Sequence, residues 1–140
     1  MTTRTVCRAA VLAAGLAALA GAVTAQDDKK DYKPEDIKEI MNKGHKGKKA
    51  YLNEVGNALK AEKWDEVKKF ADIMKVYGET LPTFDPPKGT KESWKKVAEK
   101  YKKETGAMAD GAKKKDATAT EKALKTTQGM CKECHSAHKG

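Results

Sequence analysis

The chain has 140 residues, of which 35% are charged, 39% are hydrophobic and 6% are aromatic. This length allows one ordinary domain with a modest core, and the content of Gly and Pro is too low for a collagen or a low-complexity chain. Because Lys, Ala and Glu are abundant while β-branched and aromatic residues are few, the composition favours helices and argues against a large β-sandwich. We therefore predict an all-α domain.

The first 25 residues have the pattern of a secretory signal peptide. Arg4 and Arg8 precede an apolar run over residues 9–23, and small residues end this region at Ala25. The apolar run has 15 residues, whereas a membrane-spanning helix needs about 20. We predict a cleaved signal over residues 1–25, export to the periplasm and no lasting membrane anchor, with an uncleaved anchor as the alternative.

Cleavage would change both the cysteine count and the charge. Cys7 lies before the apolar run, so it cannot be the lipid-bearing cysteine of a lipoprotein, and it leaves with the signal. The mature chain then has 27 Lys, 20 acidic residues and no Arg, beginning with a polar segment over residues 26–33 that we predict to be flexible. Because proteins that recognise bases and phosphates rely on Arg side chains, we expect no nucleic-acid partner. The interleaved lysines are typical of a solvated surface, or they steer the protein toward acidic partners.

Apolar residues recur at intervals of three and four along most of the mature chain, which predicts amphipathic helices. Three predicted helices cover residues 34–60, 64–78 (ended by Gly78) and 91–113. A fourth begins after Asp116, with Thr118 as a competing start, and continues close to the C-terminus. Gly44, Gly47 and Gly56 are costly inside the first helix, so something bulky is expected to come close there. We predict an antiparallel four-helix bundle over residues 34–140.

The chemistry of the chain is concentrated in the C-x-x-C-H motif formed by Cys131, Cys134 and His135, which is the attachment signature of c-type haem. Two thiols three residues apart on a helix can reach the two vinyl groups of one porphyrin, and the adjacent imidazole then lies under the iron. An export signal strengthens this interpretation, because haem is attached to such motifs outside the cytoplasm. We predict one covalent haem c per chain, facing inward between the helices.

Three other uses of the motif are weaker. A disulfide between Cys131 and Cys134 would close a very small loop and stabilise little. A redox dithiol of the thioredoxin type requires the motif at the start of a helix that follows a strand, and we predict no strand. A zinc site of Cys131, Cys134, His135 and His138 would require four ligands within a span of eight residues to converge.

The position of the motif indicates a class of haem protein. Five residues follow His135, so a second axial ligand must come from upstream, which excludes the small cytochromes c with an N-terminal motif. The C-terminal C-x-x-C-H on the last of four helices, with Lys139 four positions after His135 and Trp94 near the start of helix three, resembles the class II cytochromes c, or cytochrome c prime family, over about residues 34–139. The Arg that many members carry near the haem is missing, so lysines are expected to pair with the propionates.

The resemblance implies that the first helix presents a residue to the other face of the iron. Met41 aligns with the ligating or blocking position of the family, and His45 follows one turn later. We predict that Met41 is the second axial ligand, because lysines follow His45 and no acid lies near enough in sequence to hold its second ring nitrogen. The alternatives are Met41 as a packed core residue and His45 as the ligand.

Two functions follow from these alternatives. If His135 and Met41 both bind the iron, the chain is expected to be a soluble electron carrier whose redox partners are acidic proteins. If the sixth coordination site of the iron is open, the chain is expected to be a five-coordinate haem protein that binds small gases such as nitric oxide. We predict no enzymatic activity, because no positioned acid–base pair is evident, and the resemblance implies a homodimer as one assembly.

The remaining candidate residues are given structural positions. We assign Met130 to the side of His135 and His138 to solvent at a frayed C-terminus. The residues assigned to the core are Met74, Met108, Tyr51, Tyr101 and Trp94.

Overall fold

The structure is a computed structural model that describes residues 32–140. The predicted signal peptide over residues 1–25 and most of the predicted flexible segment lie outside the described residues. Tyr32, near the end of that segment, is partly buried against the core. Every regular element in the described part of the chain is helical and none is a strand, which confirms the all-α class.

The first predicted helix is interrupted, so the prediction of one helix over residues 34–60 is wrong. A short helix α1, Ile37–Glu39, is capped by Asp36, whose carboxylate accepts a hydrogen bond from the Glu39 backbone N–H at 2.6 Å. It continues into a single π-helical turn, Ile40–His45, and the chain then leaves the helix before α2, Tyr51–Lys60. The break follows from Gly47, whose φ of +90° belongs to a left-handed backbone that Gly adopts readily.

The second predicted helix runs two residues past the glycine that was expected to end it. Helix α3 is Trp64–Thr80, and Gly78 lies inside it, at a close approach to the next long helix. A Cβ atom at Gly78 would overlap the Thr105 Oγ1 and lie 3.1 Å from the Cα of Lys102. Gly78 therefore serves contact between helices rather than termination.

The last two long helices agree with their predicted bounds. After a 3₁₀ turn, Leu81–Thr83, and a proline-containing loop, helix α4 spans Lys91–Lys113. Helix α5 spans Ala117–His138, and its N-cap is Asp116, whose carboxylate accepts a hydrogen bond from the Ala119 N–H at 2.9 Å. Asp116, rather than Thr118, thus begins the fourth predicted helix.

Each long helix packs against its neighbour in sequence, with α2 on α3, α3 on α4 and α4 on α5, and α2 also meets α5. Met74 and Met108 are fully buried, while Trp94 is 4% and Tyr101 5% exposed, which confirms their assignment to the core. The buried face of α5 carries Thr120, Leu124, Thr127 and Met130 toward the other helices. Among the helices of residues 32–140, none has an apolar stretch long enough to cross a membrane.

Candidate functional site

The three residues of the C-x-x-C-H motif lie in the last turns of α5. Cys134 is half-buried, whereas Cys131 and His135 are exposed, and both cysteines are free thiols. Burial, and next the neighbouring Cys131, raise the pKa of the Cys134 thiol. Because residues three and four apart on a helix share a side, the two thiols and the imidazole border the same part of the α5 surface.

Two adjoining pockets border the motif, and Met41, Cys134 and His135 line both of them. The inner pocket is an apolar cavity of about 40 Å³ between residues 41–45, α4 and α5. The outer one is an open groove of about 340 Å³ that continues toward the C-terminus. Further residues of the inner pocket are His45, Leu81, Val97, Tyr101, Thr127, Met130 and Cys131; those of the groove include Ile37, Lys38, Pro87, Trp94, His138 and Lys139.

Met41 lies in the π-helical turn, partly buried against the core and facing α5 across both pockets. Its carbonyl accepts a hydrogen bond from the Lys46 N–H at 3.0 Å, five residues later, which closes the π turn. The structure therefore brings Met41 to the same pocket as the C-x-x-C-H motif.

His45 also faces this pocket, and the residue as a whole is partly exposed. Its Nε2 is 2.8 Å from the hydroxyl of Tyr101, and its Nδ1 is buried without a hydrogen-bond partner. Burial, and next the neighbouring His135, lower the pKa of His45 to about 4, so the ring is neutral at pH 7. The helix ends at His45, so the lysines that follow it belong to the break between the two helices.

Tyr101 is the residue of this site that sequence reasoning missed. It is 5% exposed, and burial raises the pKa of its hydroxyl far above the usual value, so the hydroxyl keeps its proton. The rings of His45 and Tyr101 have centroids 5.6 Å apart. No local signal could distinguish this tyrosine from a packing residue, because its partner is 56 positions away.

His138 is buried at 2% exposure, so the prediction that it lies in solvent at a frayed C-terminus is wrong. Its Nδ1 is 2.8 Å from the carbonyl oxygen of Lys88, its Nε2 is 3.4 Å from the Ser93 Oγ, and its ring stands edge-on to Trp94. Gly89, with a φ of +83°, allows the loop to reach the end of α5. These contacts hold the helical turn that contains His135.

The positively charged side chains around the site are lysines, since residues 32–140 contain no Arg. Lys38 and Lys139 line the outer groove beside Cys134 and His135. Lys100 of α4 pairs at 2.7 Å with Glu133, one of the two residues between the cysteines, and both side chains are about half exposed. An exposed pair of this kind contributes little stability, but it adds a contact between α4 and the motif.

The donor set fits a c-type haem better than a bare metal ion. Across residues 32–140, no three His, Cys, Asp or Glu side chains gather closely enough to hold a metal ion, so the four residues of the zinc alternative do not converge here. A haem does not require all of its protein ligands to meet at one point, as a zinc ion does. It needs two thiols, one imidazole beside them, a ligand across the pocket and apolar walls. The buried, unpartnered Nδ1 of His45 supports this fit, because such an atom is expected to have a partner.

No known protein family, no curated protein and no solved structure matches this chain.

Proposed function

We propose that the chain is an exported c-type cytochrome that carries one covalent haem on Cys131, Cys134 and His135 and transfers electrons. One observation carries the proposal: the C-x-x-C-H motif borders an apolar pocket, and ligand-type side chains line the opposite wall. A motif of this spacing on a surface helix without such a wall would offer the iron a single ligand. The pairing of motif and wall is what an axially ligated haem needs.

The chain's own residues have separate tasks in this proposal. The two thiols anchor the porphyrin, and His135 binds the iron from the side of α5. Leu81 and Val97 line the inner pocket with apolar side chains, and Lys38 and Lys139 of the outer groove would pair with the propionates. The haem, when bound, supplies one-electron chemistry.

The second axial ligand in this proposal comes from the π-helical turn. Met41 is the ligand that the resemblance implies, and a thioether there would give a high reduction potential relative to two imidazoles. The gas-binding alternative requires that no residue of the turn reaches the iron. In that alternative, Met41 lines the pocket without binding the iron.

The finer features of the fold and the location belong to the same proposal. The four long helices and their pairwise contacts suit an antiparallel four-helix bundle. The signal peptide predicted over residues 1–25 would place the protein in the periplasm. The excess of Lys over acidic residues would steer it toward acidic redox partners, and a homodimer is one assembly consistent with the resemblance.

The test is to express the full chain in a host that attaches haem outside the cytoplasm. We expect the haem to stay with the protein after extraction with acidified acetone, and its alkaline pyridine spectrum to be that of a haem with two thioether bonds. The matched control is the double variant Cys131→Ala and Cys134→Ala, which should lose the haem. Extraction of the haem from the unaltered protein, or equal retention by the control, would contradict the proposal.

A second measurement separates the two functions. An electron carrier should show a low-spin ferric spectrum, reversible voltammetry and little affinity for carbon monoxide. A high-spin spectrum, together with binding of carbon monoxide or nitric oxide at micromolar concentrations, would support gas binding instead.

A further inference from the structure

One nitrogen atom distinguishes the wall of the pocket opposite the haem motif. In the described part of the chain, the Nδ1 of His45 is buried and has no hydrogen-bond partner, a state that no other side-chain nitrogen or oxygen there shares. Buried polar atoms in folded proteins nearly always have a partner, and an exception often marks a functional group. The orphan atom belongs to a residue that shares the inner pocket with Cys131, Cys134 and His135.

The other ring nitrogen of the same residue is already held. The Nε2 of His45 lies 2.8 Å from the Tyr101 hydroxyl, and with the proton on Nε2 this N–H donates to the hydroxyl oxygen. That tautomer leaves a lone pair on Nδ1. A histidine that binds a metal almost always has its second nitrogen fixed in this way, which sets the tautomer and the ring orientation.

The surroundings of the ring are largely apolar. Leu81 and Val97 line the inner pocket together with His45, so neither side chain offers a hydrogen-bond partner to Nδ1. Met41 has no comparable feature: a thioether is satisfied by apolar packing, and Met41 packs against the core. Met41 therefore needs no iron to explain its position, whereas His45 does need a partner.

From this geometry we infer that His45 binds the haem iron through Nδ1 on the face opposite His135, and that Tyr101 is the positioning residue that holds its ring. The inference rests on the haem proposed above and assigns the second axial ligand to His45 in place of Met41. The site would then be a bis-histidine electron-transfer centre. Two imidazole ligands give a lower reduction potential than an imidazole and a thioether.

The test uses the haem-loaded full chain and three single variants: His45→Ala, Met41→Ala and Tyr101→Phe. We expect the ferric protein to be low-spin without the red-edge charge-transfer band of a methionine ligand, and Met41→Ala to keep that spectrum. His45→Ala should become high-spin or acquire the methionine band. Added imidazole should then restore the bis-imidazole spectrum of His45→Ala, which shows that this variant has folded around its haem.

The tyrosine variant tests the positioning role separately. Tyr101→Phe should stay low-spin at equilibrium, but cyanide should displace its ligand about tenfold faster or more, since loss of such a supporting contact weakens metal binding by about 10- to 100-fold. A purely structural role for Tyr101 would lower the unfolding midpoint and leave the rate of cyanide binding unchanged.

The outcomes separate this inference from the function on which it rests. A methionine band in the unaltered protein that disappears in Met41→Ala would overturn the inference, and so would a high-spin spectrum of the unaltered protein. In both cases the covalent haem would stand. Absence of covalent haem from the unaltered protein would instead refute the proposed function.

Discussion

Replacing His138 with alanine tests how the end of the motif-bearing helix is held. The change removes the hydrogen bond between Nδ1 and the Lys88 carbonyl and the edge contact with Trp94, whose ring centroid is 5.3 Å away. A hydrogen bond contributes about 1 kcal/mol and an aromatic pair about 0.5–1.5 kcal/mol beyond its buried area. We therefore expect the variant to lose about 2 kcal/mol of unfolding free energy relative to the unaltered chain, measured by urea denaturation followed by circular dichroism.

Two matched variants divide this loss into its parts. His138→Phe keeps a ring against Trp94 but removes the hydrogen bond, so about half of the loss is expected. Lys122→Ala changes an exposed residue of the same helix that lines neither pocket, and it should stay within about 0.5 kcal/mol of the unaltered protein. If His138→Ala were as stable as Lys122→Ala, the loop would not hold the end of α5, and the reasoning would be refuted.

Two further predictions concern helix contacts and pH. Gly78→Ala should lower the free energy of unfolding by about 2 kcal/mol or more, because its Cβ would overlap Thr105. Gly106→Ala has open space around the added atom, so it should be neutral or stabilising by up to about 1 kcal/mol. Equal losses of unfolding free energy for the two variants, measured by urea denaturation, would contradict this. In the haem-free chain, the folded pKa of His45 is lowered to about 4 from 6.5, so the unfolded state takes up the proton first and stability falls with pH between those values. The loss should reach about 3 kcal/mol near pH 4, and His45→Gln should remove this component; an identical pH profile for that variant would show that His45 is not buried as described.

The helices that sequence analysis predicted best are those with complete local signals. For α4, a regular apolar stripe begins just after the cap residue Thr90, and for α5 the cap is Asp116. Stripe and cap both act within one or two turns, so the chain's own pattern determines them. The cysteines and histidine of the motif were identifiable for the same reason, since their spacing is local.

The first helix was mispredicted because its apolar stripe continues across a break. Ile37, Gly44 and Tyr51 recur every seven residues in sequence, although residues 46–50 are not helical. The interior glycine Gly47 was the available signal, and it was interpreted as a sign of close packing rather than as a left-handed residue. A single glycine does not reveal which of these two roles it has.

The contacts that define the site were beyond sequence reasoning for a different reason. His45 meets Tyr101 across 56 positions, and His138 meets Lys88 across 50 positions. Pairs at such separations are set by how the helices pack, and no periodicity within one helix encodes them. The sequence argument against His45 was that no acid nearby could hold its second ring nitrogen. That argument considered only near neighbours in sequence, whereas Tyr101 supplies the partner from α4. The role of Met41 stays a prediction.

The π-helical turn also has a consequence in genetic terms. Its closing hydrogen bond joins Met41 to Lys46 over five residues, one more than in an α-helical turn. Deleting one codon inside the turn, for example that of the exposed Asn42, would restore α-helical spacing and leave Met41 and His45 three residues apart instead of four. A single in-frame deletion, with α5 untouched, would thus change how the two side chains are placed along the wall of the pocket.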